Sequence, residues 1–364
     1  MTAARTFDLS ALKLPIVQAP MAGGPSTPAL AIAVCQAGGL GFLAAGYKKA
    51  DAVRDEISAV RAATDAPFGV NLFVPSAEPA DPDRLREYMQ RIAPEAERQG
   101  VSLGEPKFDD DDWEAKLRLV CAERPALVSF TFGCPAADVF ERLHGADVSA
   151  WVTITNLAEA RVAHAAGADG LIVQGTEAGG HRGGFIADGS DEGGIGLLAL
   201  LRITANATPL PMIATGGIMD GAALAAVLCA GAAAGQIGTA LMLSPESATA
   251  EAQRARLADP TPTRVTRAFS GRPARGMVNR FLTEHSATAP PAYPEIHHVT
   301  SPLRAAARKR GDAGGFNLWA GQAHELVKER PAGEIVREMA AEASAVLERL
   351  SAARRDPGTS AGSR

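Results

Sequence analysis

Apolar residues along this chain gather in eight short runs, and most of the runs are continuous rather than alternating. They cover residues 15–19, 40–45, 68–73, 127–132, 151–155, 170–174, 211–215 and 234–241. A strand with water on one face alternates apolar and polar positions, whereas a strand covered on both faces does not. The runs therefore predict a buried parallel sheet. Helical spacing separates several of them, over 28–37, 51–64, 157–166 and 221–230. Strand and helix in alternation build a parallel sheet by right-handed crossovers. Ala37-Gly38, Ala166-Gly167 and Ala230-Gly231 repeat one device, an alanine-rich helix ending on a glycine cap just before the next strand. Eight units with this punctuation predict an α/β fold, a (β/α)8 TIM barrel occupying residues 1–244.

Two regions exceed a minimal barrel. Residues 78–124 are long for one connection and hold two helical stretches, 83–96 and 111–122. Four consecutive aspartates, Asp109, Asp110, Asp111 and Asp112, lie at the start of the second and read as a solvated acidic turn. Residues 245–315, rich in proline, arginine and threonine, are expected to form a small lobe over the barrel mouth. Residues 316–352 should pack back on the barrel as C-terminal helix, and 353–364 should be a disordered tail. The basic cluster from Arg304 to Arg310 reads as a solvated helix face.

Composition narrows the function classes. With 21% charged residues, 46% hydrophobic residues and a formal net charge of -5, the 364-residue chain gives no sign of nucleic-acid or anionic-membrane binding. No apolar run reaches membrane-spanning length, and the first fourteen residues lack the apolar core of a signal peptide. Cys35, Cys121, Cys134 and Cys229 are scattered, with no Cys-x-x-Cys pair, so reduced thiols in the cytoplasm are expected rather than a disulfide frame or a metal site. Cys35 and Cys229 read as small core residues.

In such a barrel the chemistry sits at the carboxyl ends of the strands. The unusual residues collect there. Ala19-Pro-Met-Ala-Gly-Gly24 follows the first run, and Asn71 lies near the end of the third. Gln174 closes the sixth run, Thr215-Gly-Gly217 closes the seventh, and Gln236-Ile-Gly-Thr239 lies in the eighth. The sixth leads into a segment with five glycines around one histidine, His181, a candidate acid, base or hydrogen-bond partner. Loops after the last two strands of a barrel commonly bind phosphate through backbone N–H groups, and Gly216, Gly217 and Gly238 would let a ligand approach closely, with the Thr239 hydroxyl beside it. A phosphate clamp beside amide-bearing strand ends suits flavin mononucleotide better than pyridoxal phosphate, which needs a lysine; the eight runs contain none.

These residues resemble the nitronate monooxygenases, formerly called 2-nitropropane dioxygenases, over nearly the full length. The motifs are Gln18-Ala-Pro-Met-Ala-Gly-Gly24, Ala37-Gly-Gly-Leu-Gly41, Gly69-Val-Asn-Leu72, Ser129-Phe-Thr-Phe-Gly133, Glu177-Ala-Gly-Gly-His-Arg-Gly183, Thr215-Gly-Gly-Ile218 and Gln236-Ile-Gly-Thr239. Ala268-Phe-Ser-Gly-Arg-Pro-Ala-Arg275 and Leu318-Trp-Ala-Gly-Gln322 look like C-terminal motifs of the same family. The resemblance implies an FMN enzyme that oxidises alkyl nitronates with O2 to carbonyl compounds and nitrite, consuming no nicotinamide. It further implies FMN contacts from Pro20, Met21, Ala22, Asn71, Gln174, Gly179, Gly180, Gly216, Gly217, Gln236, Ile237, Gly238 and Thr239. His181 would be catalytic. The family's substrate pocket often carries tyrosines, and this chain has three, Tyr47, Tyr88 and Tyr293. The implied partners are a small nitronate and O2, with the protein a monomer or homodimer and no metal. The nearest alternative is an NAD(P)H-dependent flavin reductase of the enoyl-acyl-carrier-protein or quinone reductase type. A flavin-free barrel isomerase or aldolase is more distant.

Overall fold

A computed structural model describes residues 7–186 and 194–355. Eleven strands occur among them: β1 (Ile16–Gln18), β2 (Gly41–Ala44), β3 (Phe68–Phe73), β4 (Leu127–Thr131), β5 (Ser149–Ile154), β6 (Gly170–Gln174), β7 (Gly180–His181), β8 (Met212–Thr215), β9 (Ala234–Ile237), β10 (Thr263–Thr266) and β11 (Ala274–Met277). Eight of them form one parallel sheet in the order β1-β9-β8-β6-β5-β4-β3-β2. The two ends of that order meet. Leu40, just before β2, bridges Val17 of β1; Gln18 N–H donates to the Leu40 carbonyl at 2.9 Å, and Leu40 N–H to the Ile16 carbonyl at 2.9 Å. The sheet is thus an α/β barrel of the TIM type, with helices between the strands.

Pleating sends every second side chain inward, and the inward positions change character along the barrel axis. At the amino-terminal end Val17, Phe42, Leu127, Trp151, Ile172, Ile213 and Ala234 fill the interior, capped from below by Leu9. Glycines make room for the two largest: a Cβ on Gly69 would lie 2.4 Å from the Phe42 ring, and one on Gly170 2.6 Å from Trp151. One inward step further, Asn71, Thr131, Thr153, Gln174, Thr215 and Gln236 form a polar floor. The barrel's apolar fill therefore stops where a ligand space begins.

Most expected helices form within a residue or two, as Pro28–Ala37, Ala50–Ala63, Leu157–Ala166 and Gly221–Cys229. The first and third end on left-handed glycine caps, Gly38 at φ 101° and Gly167 at φ 102°. The long connection carries helices Pro82–Gln99 and Trp113–Glu123. The eighth apolar run is shorter than expected: β9 stops at Ile237, and Thr239–Leu241 turn as a 3-10 helix, so Leu241 and Met242 are buried outside the barrel wall. β10, β11 and β7 form a separate antiparallel sheet, β11 pairing Ala274 with His181 and Arg275 with Gly180. Helices Arg280–His285 and Glu295–Lys309 follow, the latter packing against Pro82–Gln99 through Leu85, Ile92, Ile296, Val299 and Leu303. Helix Ala332–Arg355 returns to the barrel; the tail from 356 lies outside the described residues.

Three expectations are corrected. Cys229 is exposed, at the end of its helix, while Cys35 is buried. Arg304 in the basic cluster is buried rather than solvated. The acidic run is built into the protein: Asp111 accepts from Tyr47 N–H, Asp112 from Ala50 N–H, and Asp109 faces His298 at 3.1 Å. Among the described residues the one trio placed to hold a metal is Glu95, Glu284 and His285. Arg280 already occupies both Glu95 oxygens, at 2.6 and 2.7 Å, which makes this an ion-pair network.

Candidate active site

A cavity of about 240 Å³ opens over the polar floor at the carboxyl ends of the strands. It gathers Pro20, Met21 and Ala22 from the loop after β1, Asn71 from β3, and Gln174 from β6. Gly179, Gly180 and His181 come from β7 and its approach, Gly216 and Gly217 from the turn after β8, and Gln236, Gly238 and Thr239 from β9 and the turn beyond. Ile237 alone among the expected residues turns its side chain elsewhere, into the core between barrel and helices.

Sheet pairing, not a free loop, sets the position of His181. Its Cα pairs with Ala274 of β11, and Arg182 N–H donates to the Pro273 carbonyl at 2.8 Å. Gln174 fastens the same segment from below: its Nε2 donates to the His181 carbonyl at 3.1 Å, and its Oε1 accepts from Gly183 N–H at 2.8 Å. The buried carboxylate of Glu159 accepts from Ile186 N–H at 2.8 Å and from Phe185 N–H, anchoring the outgoing chain. Gly179 is required on the way in, because a Cβ there would lie 2.4 Å from the Ala320 main chain. The imidazole Nε2 lies 2.8 Å from Ser270 Oγ. Trp319, Phe132 and Tyr293 surround the ring, with centroids at 5.5, 5.6 and 6.2 Å.

The field at this ring is positive. Arg272 stacks its guanidinium 4.1 Å from the Phe132 centroid and donates to the carbonyls of Phe132, Arg182 and Gly184. Arg304 donates to Thr300 Oγ1 and to the His297 carbonyl. Burial brings both guanidiniums down to about 10, so they stay charged at neutral pH. Burial first, then the charges of Arg272 and Arg304, push His181 down to about 3. The imidazole is neutral across the ordinary pH range and has a lone pair to offer. Burial also drives Tyr47 up to about 12 and Tyr293 well above its usual value, so both keep their phenolic protons.

Two features of the floor and rim point to a bound group. Gln236 Nε2 is buried and finds no hydrogen-bond partner in the protein, although Gln236 lines the cavity. Gly216 and Gly217 hold φ at 122° and 70°, exposing main chain where an L side chain would be strained. Asn71 Nδ2 donates to Ser129 Oγ at 2.9 Å and Thr131 Oγ1 at 2.8 Å.

The resemblance points to tyrosines in the pocket, but the sequence does not say which of the three lie there. Tyr47 lines the cavity and stacks on His297 at 4.0 Å, and Tyr293 OH lies 3.5 Å from Tyr47 OH. Tyr88 is remote, buried with its hydroxyl donating to the Ala268 carbonyl at 2.7 Å. The motif around Ser270 and Arg272 flagged that segment, but the contacts of these side chains with His181 and its loop come only from the β7–β11 pairing.

A family profile described as nitronate monooxygenase matches residues 5–342. The nitronate monooxygenase of Paraburkholderia phytofirmans is 41% identical over 355 residues, covering 94% of this chain and 96% of that protein. That of Pseudomonas aeruginosa is 41% identical over 347 residues, covering 93% and 98%. The solved nitroalkane oxidase from Streptomyces ansochromogenes is 49% identical with a TM-score of 0.91, covering 94% of this chain and 99% of that one. No helix among the described residues is long and apolar enough to cross a membrane. The profile match and these likenesses over more than nine-tenths of the sequence make the chain a member of the nitronate monooxygenase family, flavin-dependent oxidoreductases that act on nitro compounds.

Proposed function

We propose that the protein binds FMN and oxidises alkyl nitronates, and nitroalkanes after loss of a proton, with O2 to carbonyl compounds and nitrite. The observation that carries this reading is the pairing, in one cavity, of a neutral imidazole with a buried amide donor that lacks a protein acceptor, Gln236 Nε2. An unmet buried N–H costs roughly 1–3 kcal/mol, and an oxygen-rich ligand removes that cost. The residues present fit FMN. The turns at Gly216, Gly217, Gly238 and Thr239 would receive the phosphate, with Pro20, Met21, Ala22, Gly179 and Gly180 along its length. Asn71, with its amide nitrogen committed to Ser129 and Thr131, would have its carbonyl oxygen left to accept from the flavin. When bound, the flavin supplies the electron relay between substrate and oxygen.

The chain's own residues handle the proton and the charge. His181, neutral, accepts the α-proton of a nitroalkane. The nitronate so formed is an anion, held in the positive field of Arg272 and Arg304. Phe73, Phe132 and Trp319 wall the cavity, excluding water and receiving the alkyl chain. The segment 245–315 acts as a cover over this end, contributing Ser270, Arg272 and Tyr293.

A visible spectrum of the purified protein should show bound flavin. Anaerobic mixing with a small nitronate should bleach it, while NADH should not, and oxygen uptake should follow nitronate addition. Bleaching by NADH with an inert nitronate would transfer the protein to the reductases, and a colourless preparation that takes up no FMN would end the flavin reading.

A further inference from the structure

The run Asp109 to Asp112 does work that a solvated turn would not. Asp111 Oδ2 lies 2.7 Å from Nζ of Lys116, whose side chain is only 1% exposed. Its other oxygen, Oδ1, accepts the main-chain N–H of Tyr47 at 2.8 Å. Tyr47 is held there at φ 67°, a left-handed conformation that a residue with an aromatic side chain rarely adopts. The same tyrosine forms part of the cavity wall, stacked on His297 at 4.0 Å and set edge-on to Phe73 at 5.3 Å. A buried lysine 2.7 Å from a carboxylate fixes that carboxylate in place, because either charge left alone would be costly.

We propose that Asp111, with Lys116 as its buried counter-charge, is a positioning residue for Tyr47 and thereby sets the width of the substrate end of the cavity. Asp111 does not touch the cavity. It acts through the tyrosine main chain, holding the strained residue whose ring closes the wall. Which alkyl chains fit follows from where that ring stands; this consequence rests on the nitronate-oxidising reading above.

The test compares two double variants that both remove the buried ion pair. In Asp111→Asn/Lys116→Met the amide oxygen still accepts from Tyr47 N–H; in Asp111→Ala/Lys116→Met nothing does. Hydrogen exchange of the peptide spanning residues 46–50, read by mass spectrometry, should stay slow in the first. It should speed up tenfold or more in the second, with exchange elsewhere alike in the two. Relative kcat/KM across straight-chain nitronates from two to six carbons should keep the wild-type order in the first and shift toward longer chains in the second. A general loss of stability would lower all rates together and leave that order intact. Equal exchange in the two variants overturns the proposal, and changed exchange with an unchanged chain-length order overturns its substrate part. If the alanine variant does not fold, Asp111→Glu decides. It keeps the charge pair but moves the carboxylate by one methylene, so the wild-type exchange rate and chain-length order in that variant would equally overturn the proposal. Wild-type protein inert toward every nitronate would refute the function reading while leaving the exchange comparison to judge Asp111.

Discussion

His181 has Ser270 at one ring nitrogen, aromatic rings around it, and two buried guanidiniums in its field. Such a ring accepts protons poorly in bulk terms, yet its base form is the one present at neutral pH. Replacing it by asparagine keeps a polar group of similar reach but removes the base. His181→Asn should retain bound flavin and lose about 10² in nitroalkane turnover, the usual scale for a general base. Nitronate turnover, which needs no proton abstraction, should fall less. Equal turnover of nitroalkane by wild type and variant in a stopped assay would remove His181 from that role. The pH dependence has a definite sign. With the ring pushed down to about 3, its base form dominates above that value, so kcat/KM for the neutral nitroalkane should show no acid limb near pH 6.5. Arg272→Met removes the larger of the two charges acting against protonation and should move any acid limb upward. A limb near 6.5 in the wild type that Arg272→Met leaves in place would contradict the electrostatic account.

Between strands, the turns decide whether a ligand stays. Gly217 sits at φ 70° in the turn after β8, and a Cβ there would lie 3.1 Å from Glu177 Cβ. Glu177 in turn accepts from Leu197 N–H at 3.0 Å, holding the start of helix Leu197–Ala205. Gly217→Ala therefore adds left-handed strain of about 1 kcal/mol and presses on the Glu177 side chain at its Cβ. The expected result is a folded protein with a flavin-to-protein absorbance ratio well below wild type; full flavin content would show that this turn does not carry the phosphate. These turns were legible in the sequence because glycine pairs at strand ends have few other uses, and the eight strands because burial on both faces leaves continuous apolar runs. The segment carrying His181 was legible as glycine-rich but not as a strand. Two residues, Gly180 and His181, have no periodicity, and their partners Ala274 and Arg275 lie more than ninety positions away. Tyr47 and the acidic run were opaque for the same reason: Asp111 meets Tyr47 across 64 positions, and a string of aspartates looks equally hydrophilic whether it faces water or a buried lysine.

At the scale of the whole molecule, the C-terminal helix ties the barrel's exterior to its ligand end. Helix Ala332–Arg355 crosses helix Gly221–Cys229 so closely that a Cβ on Gly221 would lie 2.2 Å from Glu342 Cβ, 2.5 Å from Ala343 N and 2.6 Å from the Met339 carbonyl oxygen. Glu342 Oε2 accepts from Gly221 N–H at 3.0 Å, so the carboxylate of one helix caps the first turn of the other. Four residues earlier stands Gly217. Backbone atoms cannot step aside as a flexible side chain can, so Gly221→Leu must separate the two helices rather than repack them. Overpacking of this kind costs roughly 1–3 kcal/mol, and only the short connection 218–220, with Ile218 and Met219 both buried, separates the displaced helix from the Gly216–Gly217 turn. Gly221→Leu should lower Tm and flavin affinity together. Glu342→Ala, which removes the cap and the half-exposed pairing with Lys328 at 3.6 Å, at a cost of about 1 kcal/mol for the cap, should lower Tm alone. Calorimetry beside flavin titration separates the two cases: a Gly221→Leu protein with reduced Tm but unaltered flavin affinity would mean that the turn after β8 is held by the barrel itself and owes nothing to the helix behind it.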